Sequence, residues 1–337
     1  MHIETSNARF LELIGRFAGK RVLAIGDLML DEFIWGRVSR ISPEAPVPVV
    51  NVTAESYYPG GVANVARNLR EFTRETAVLG LVGADPRGRQ LVELLAEAGI
   101  RTEGVIEDAG AMTTVKTRVI ARNQQVVRVD RERKAALTAE QLAQVRRYLE
   151  RAIAETDGIV VADYGKGFLT QPLADEICRL ARRHGKVLAV DPHPHTALIW
   201  NGATAIKPNR AEAFLAAGRP ITEPVEPVCQ DAALIDAARR LLESWRPESL
   251  LVTLAEQGML LVLPNAKPVH LPASAREVFD VSGAGDTAIA IFTLGLVAGG
   301  TAAEAAELAN RASGIVVGKV GTATVAAKEL MASLDRS

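Results

Sequence analysis

The run Asp280-Val281-Ser282-Gly283-Ala284-Gly285-Asp286-Thr287 sets small residues directly before a carboxylate, where an apolar stretch begins. Residues of these types build an anion hole with a base inside it. Glycine lets backbone approach a phosphate closely, and the first N–H groups of a following helix are unpaired donors with partial positive charge. Among them, Asp286 would take the proton of an acceptor hydroxyl. The backbone of Gly283, Ala284 and Gly285 would meanwhile stabilise charge on a phosphoryl group in flight. The chemistry implied is phosphoryl transfer.

Other clusters fit the same chemistry, each with a plainer alternative. In Pro59-Gly60-Gly61-Val62-Ala63-Asn64 paired glycines open a helix with Asn64 one turn inside. That arrangement lets a sugar hydroxyl meet backbone amides while Asn64 offers donor and acceptor, although a simple turn has the same composition. Lys207-Pro208-Asn209-Arg210-Ala211-Glu212 puts an amide and a carboxylate one turn apart. Nucleotide-bound magnesium keeps several waters and takes one or two protein oxygens, which Asn209 and Glu212 would supply directly or through water. Asn209 acting as a helix cap is the alternative. Lys116, Arg118, Arg122 and Arg128 form a cationic cluster whose guanidinium forks match phosphate oxygens, but a solvated strand face has a similar make-up.

Two motifs do not complete. Gly15 to Lys20 is one residue short of a phosphate-binding Walker loop and precedes the first strand instead of following it. His193 and His195 have no cysteine or acidic cluster to finish a metal set.

These residues need elements to hold them. Short β-branched runs at 21–26, 158–163, 186–191, 203–206 and 249–253 alternate with helical patterns at 90–98, 139–154, 172–183 and 231–244. The alternation predicts a mostly parallel sheet covered by helices on both faces. Asp27, Asp163, Asp191 and Asn209 fall at or just past strand ends, where open parallel sheets bind ligands. Segments 33–53 and 113–129 break the pattern and read as strands of a separate small β layer over that crevice. The proline-rich stretch from Arg219 to Pro227 reads as a surface insertion.

The 337 residues carry 39 basic and 40 acidic side chains, so no global field recruits nucleic acid or an acidic membrane. Cys178 and Cys229 stand far apart with no CxxC spacing, arguing against a disulfide framework or zinc knuckle and for a reducing cytoplasm. Charges interrupt the first twenty residues, so no signal peptide is expected. The uncharged stretch from Thr287 to Ala303 is short of a membrane span and reads as a buried helix ending at Gly299-Gly300.

Taken together, the Gly60-Gly61-to-Asn64 and Asp280-to-Asp286 motifs resemble the two signatures of the ribokinase-like carbohydrate kinases, the PfkB family, and the likeness runs from roughly residue 20 to residue 330. The resemblance implies one kinase domain over 1–337, a three-layer α/β fold and a β-sheet lid from about 33–53 and 113–130. It implies ATP beneath the later loops and a sugar between sheet and lid. Asp286 takes the catalytic-base position and Gly283 to Gly285 the anion hole. Asn209 and Glu212 match the magnesium-associated motif, with Lys207, Thr253, Gly258 and Asn310 around the nucleotide. Asp280 and Ser282 fall where many members bind potassium. Asp27, Asp31, Gly60, Gly61, Asn64 and Asp163 would hold the sugar. A homodimer through the lid is also expected.

A narrower resemblance is to the heptose 7-phosphate kinases of lipopolysaccharide-precursor synthesis, carried by Ser39 to Val50, Arg122 to Arg128, Gly26 to Asp31, Ser282 to Thr287 and Gly318 to Thr322. It implies transfer to O1 of D-glycero-D-manno-heptose 7-phosphate, with Lys116, Arg118, Arg122 and Lys166 holding the 7-phosphate. Asp191-Pro-His-Pro-His195 departs from the Asp-Pro-Lys typical of that group, leaving the contacts near His193 open. No nucleotidyltransferase segment follows Ser337, so another protein is expected to activate the product. The rival readings are a kinase for another sugar or sugar phosphate and a non-catalytic sugar or nucleotide sensor.

Overall fold

The computed structural model describes residues 5–122, 124–196, 198–274, 279, 281–319 and 321–335. In chain order the elements are α1 (Asn7–Phe17), β1 (Arg21–Gly26), β2 (Leu28–Ile41), β3 (Pro48–Gly61), α2 (Val62–Arg70), β4 (Glu75–Gly83), α3 (Pro86–Glu97), β5 (Arg101–Asp108), β6 (Thr114–Ala121) and β7 (Gln124–Arg131). There follow α4 (Ala139–Glu155), β8 (Gly158–Ala162), α5 (Gln171–Arg183), β9 (Val187–Asp191), β10 (Ala205–Ile206), α6 (Arg210–Ala216), α7 (Ala232–Trp245), β11 (Ser249–Thr253), β12 (Met259–Val262) and β13 (Val269–Leu271). The chain closes with α8 (Ala284–Val297), α9 (Ala302–Val316) and α10 (Ala327–Leu334).

A nine-stranded sheet has the order β13-β12-β11-β10-β9-β8-β1-β4-β5, with parallel pairing from β11 to β5 and β12 alone reversed, pairing antiparallel with both β11 and β13. Its central strands β1 and β8 are buried almost throughout, as strands covered on both faces must be. One face packs on α1, α2, α8 and α9, and the other on α4, α5, α6 and α7, giving two apolar layers. Helix α8 is buried from Thr287 to Gly295 between sheet and α9, so its apolar composition is that of a core helix. Among the described residues no helix is long and apolar enough to cross a membrane.

The second sheet has four strands in the order β3-β2-β6-β7. Only Asp27 separates β2 from β1, so the second sheet rises directly from the carboxyl edge of the first. Strands β2 and β3 run antiparallel with bulges between Trp35 and Gly36 and between Val38 and Arg40. The mostly parallel α/β fold with a small second sheet agrees with the sequence expectation. The sequence reading did not name β4, β5, β12 or β13, and β10 keeps only Ala205–Ile206 of the run it proposed at 203–206.

Candidate active site

The carboxyl ends of β1, β8, β9 and β10 deliver Asp27, Tyr164, Asp191 and Lys207 to one crevice, and α8 points its N-terminus into it. Gly283 caps that helix at φ 82°, a left-handed conformation that strains any L side chain, and a Cβ there would stand 2.9 Å from Asn64 Nδ2. Of the expected anion-hole donors, Ala284 is taken up by the protein, its N–H donating to the Val281 carbonyl at 3.2 Å, whereas the amides of Gly285 and Asp286, in the first turn, have no partner among the described residues.

The Asp286 carboxylate is gripped at both oxygens. Asn64 Nδ2 donates to Oδ2 at 2.7 Å and the Tyr164 hydroxyl donates to Oδ1 at 2.5 Å. Burial raises the Asp286 carboxyl above the ordinary carboxylate range, opposed by the Asn64 and Tyr164 hydrogen bonds and by nearby Lys207. Burial, with Asp286 close by, likewise holds the Tyr164 phenol well above its usual range, so it remains a donor.

Lys207, 3% exposed, pairs with Asp191 at 3.0 Å, and its Nζ lies 3.6 Å from the position a Cβ on Gly285 would take. Burial opposes the Lys207 charge, but Asp191 and Glu212 hold the ammonium above the ordinary lysine range. Burial pushes the Asp191 carboxyl up to about 7 in spite of Lys207. A fixed cation thus borders the free amides of α8, a donor set that fits a phosphoryl group.

Asn209 caps α6 through a reciprocal pair: Glu212 N–H donates to Asn209 Oδ1 at 2.9 Å, and Asn209 N–H donates to Glu212 Oε2 at 2.7 Å. The plainer alternative for this motif is therefore realised. It does not exhaust Glu212, whose Oε1 accepts no hydrogen bond among the described residues and whose charge acts on Asp191 and Lys207.

Toward the second sheet, a Cβ on Gly60 would collide with the Asp31 carboxylate, and Gly61 turns into α2. Asp31 pairs with Arg118 at 2.5 Å, and that guanidinium also covers the Phe33 ring. Asn64 Oδ1 and Thr322 Oγ1 are buried without a hydrogen-bond partner among the described residues. Arg67, one turn beyond Asn64, donates to the Thr322 carbonyl at 3.3 Å and lies over the Tyr58 ring. Buried polar atoms left open in this way are groups that a ligand can satisfy.

Several expected ligands are occupied by the protein itself. Asp27 Oδ2 accepts from the backbone of Tyr164 at 2.9 Å and Lys166 at 3.1 Å, and burial raises its carboxyl. Asp163 accepts from Gly165 N–H at 2.8 Å and the Thr196 hydroxyl at 2.6 Å. Lys166 pairs with Glu132 at 2.7 Å. The His193 ring packs on Gly165, and burial holds it below the ordinary histidine range.

Thr253, at the end of β11, donates its N–H to Pro208 at 3.0 Å beside the start of α6. Gly258 turns the chain into β12, and Asn310 donates to the Pro272 carbonyl at 2.7 Å. Lys116 stands beside Asp31 in the sheet register. Arg122 is not brought to the crevice: at φ 52° it turns the β6–β7 hairpin, exposed, at the far end of the strand carrying Lys116. Ser282 lies before the α8 cap, whereas Asp280 falls outside the described residues. Among the described residues no group of three or more His, Cys, Asp or Glu could hold a metal by itself.

Sequence reasoning gave Tyr164, Arg67 and Thr322 no role and assigned Asp191 none beyond its place at a strand end. For Tyr164 a signal existed, because it lies two residues past the end of β8, next to Asp163, at the carboxyl edge of the sheet.

The profile of the pfkB family of carbohydrate kinases matches residues 20–329. A protein of Desulfatibacillum aliphaticivorans named bifunctional protein HldE is 44% identical over 333 residues, 99% of this chain and 66% of its own. The chain thus spans about two thirds of the length of such relatives. Arabidopsis thaliana ribokinase complexed with ribose and ATP superposes with a TM-score of 0.72 at 16% identity, covering 95% of this chain and 100% of that one. Escherichia coli phosphofructokinase-2 in complex with substrates and products superposes at 0.74 and 21% identity, covering 95% and 99%.

Proposed function

The chain belongs to the pfkB family of carbohydrate kinases, and we propose from that premise that it moves the γ-phosphoryl group of ATP to O1 of D-glycero-D-manno-heptose 7-phosphate in the cytoplasm. The observation that carries the reading is Asp286: a carboxylate in the first turn of a buried helix, held at both oxygens, beside a lysine and free amides.

In this mechanism the acceptor hydroxyl approaches Asp286 from the side of Asn64. Asn64 Oδ1, buried and unpartnered, accepts a hydrogen bond from a neighbouring sugar hydroxyl and sets the ring's orientation. Asp286 takes the proton of the attacking hydroxyl as the new O–P bond forms. The amides of Gly285 and Asp286 and the Lys207 ammonium stabilise charge on the transferring phosphoryl oxygens. Glu212, through Oε1 and water, would hold the nucleotide's magnesium, and Asn209 sets the helix start that positions Glu212. Magnesium, when bound with nucleotide, neutralises charge on the phosphates.

The acceptor phosphate falls to Lys116, with Arg118 shared with Asp31. A second copy of the chain is expected to pair through the small sheet, where Val127 and Val129 lie exposed on alternate positions of β7.

The reading is tested by ADP release with magnesium and ATP across heptose 7-phosphate, six-carbon sugar phosphates and unphosphorylated sugars. A strong preference for heptose 7-phosphate supports the whole proposal. A preferred neutral sugar keeps the kinase and removes the phosphate subsite, and silence throughout favours a sensor.

A further inference from the structure

The loop after β8 is pinned at consecutive residues. Tyr164 and Lys166 give their N–H groups to Asp27 Oδ2, Gly165 gives its own to Asp163 Oδ1, and His193 packs against Gly165. The Tyr164 hydroxyl reaches into the crevice, where its hydrogen-bond partner among the described residues is Asp286 Oδ1. A phenylalanine would fill the same volume, so the hydroxyl needs a reason of its own.

We propose that Tyr164 is the positioning residue of the base: its hydroxyl fixes the Asp286 carboxylate in the orientation that meets the acceptor, while Asp27 holds the Tyr164 backbone from behind. The inference rests on the reading of Asp286 as general base. With Asn64 on Oδ2 and Tyr164 on Oδ1, rotation of the carboxylate about its last bond would break both hydrogen bonds. Each carboxylate oxygen still has a lone pair to offer, so the acceptor hydroxyl can bind without displacing either donor. Catalysis gains from a base already aligned before the acceptor arrives.

The electrostatic need follows from the surroundings. Asp286 faces Lys207 from the β10 end, Asp31 from β2 and Asn64 from α2, and Asp191 on β9 adds a further acidic group near Tyr164. Burial and Asp31 both favour the protonated acid, whereas the Tyr164 and Asn64 hydrogen bonds and the Lys207 charge favour the carboxylate. Removing the Tyr164 hydroxyl therefore raises the Asp286 pKa further. The acid limb of kcat, along which turnover fails as Asp286 takes up a proton, moves to higher pH.

The test is Tyr164→Phe in the full chain, with the thermal midpoint confirming the fold. The pH profile of kcat is measured alongside the carbon-13 titration of the Asp286 carboxyl, assigned with Asp286→Asn. The expected result is a kcat reduced on the order of ten-fold at neutral pH, the acceptor KM nearly unchanged, and both the acid limb and the carboxyl titration displaced upward. An unchanged kcat with an unmoved titration overturns the proposal. The titration reads Asp286 whether or not the protein turns over any acceptor. A protein silent with every acceptor thus defeats the kinase reading, while the displacement in Tyr164→Phe still decides the coupling.

Discussion

At the level of single residues, the crevice trades stability for charge placed where a phosphoryl group would pass. Lys207 is buried and its partner Asp191 largely so, and removing the Asp191 charge takes away the ion pair and leaves the ammonium only Glu212 and Asp286 nearby. Asp191→Asn is expected to destabilise the protein by about 3–5 kcal/mol, read as a lower denaturant midpoint. Gly283→Ala places a Cβ in a left-handed conformation and against Asn64. A loss of about 1–2 kcal/mol from the backbone alone is expected, with a larger fall in kcat as Asn64 and Asp286 shift. Because burial raises Asp286, kcat should start to fall on the acid side at a pH above the ordinary carboxylate range. Asp286 and its glycines were legible because they are neighbours in the chain. The Tyr164 contact was not, since it joins residues 122 positions apart and appears only once β8 and α8 are packed together.

At the level of elements, the start of α6 is a structural cap to which the proposed function adds a chemical role. Asn209 and Glu212 form a reciprocal cap, which the spacing alone could not separate from a magnesium-facing pair. Two substitutions separate the roles. Asn209→Ala removes the cap acceptor and should cost about 1 kcal/mol. Glu212→Gln keeps an oxygen for the Asn209 N–H but removes the charge. It should leave the thermal midpoint almost unmoved while raising the magnesium concentration needed for half-maximal turnover, and equal magnesium dependence would confine Glu212 to capping. Central strands were readable as continuous apolar runs, whereas β12 and β13 were missed because short strands that finish a sheet edge carry little periodicity. The cationic cluster on β6 and β7 was visible as composition, but the hairpin turn at Arg122 separates it from Lys116 and Arg118. Only the strand register shows this.

Across the whole molecule, a near-neutral chain gathers the candidate site at one edge of a nine-stranded sheet and raises a four-stranded sheet from that edge. The alternation of strands and helices made that architecture readable, and the glycine motifs located the crevice. What the sequence left open was which carboxylates face a ligand and which fasten loops, because Asp27 and Asp163 look like Asp286 until their backbone partners are known. If the small sheet pairs two copies, light scattering should give twice 36.0 kDa, and Val127→Lys with Val129→Lys should return the monomer mass without changing the fold. The central claim, that Asp286 is the base of a phosphoryl transfer, is tested most directly by kcat/KM of Asp286→Asn against the unaltered protein, with magnesium, ATP and heptose 7-phosphate. A loss on the order of 10²-fold or more with an intact thermal transition is predicted, and near-normal turnover in the variant would contradict the account.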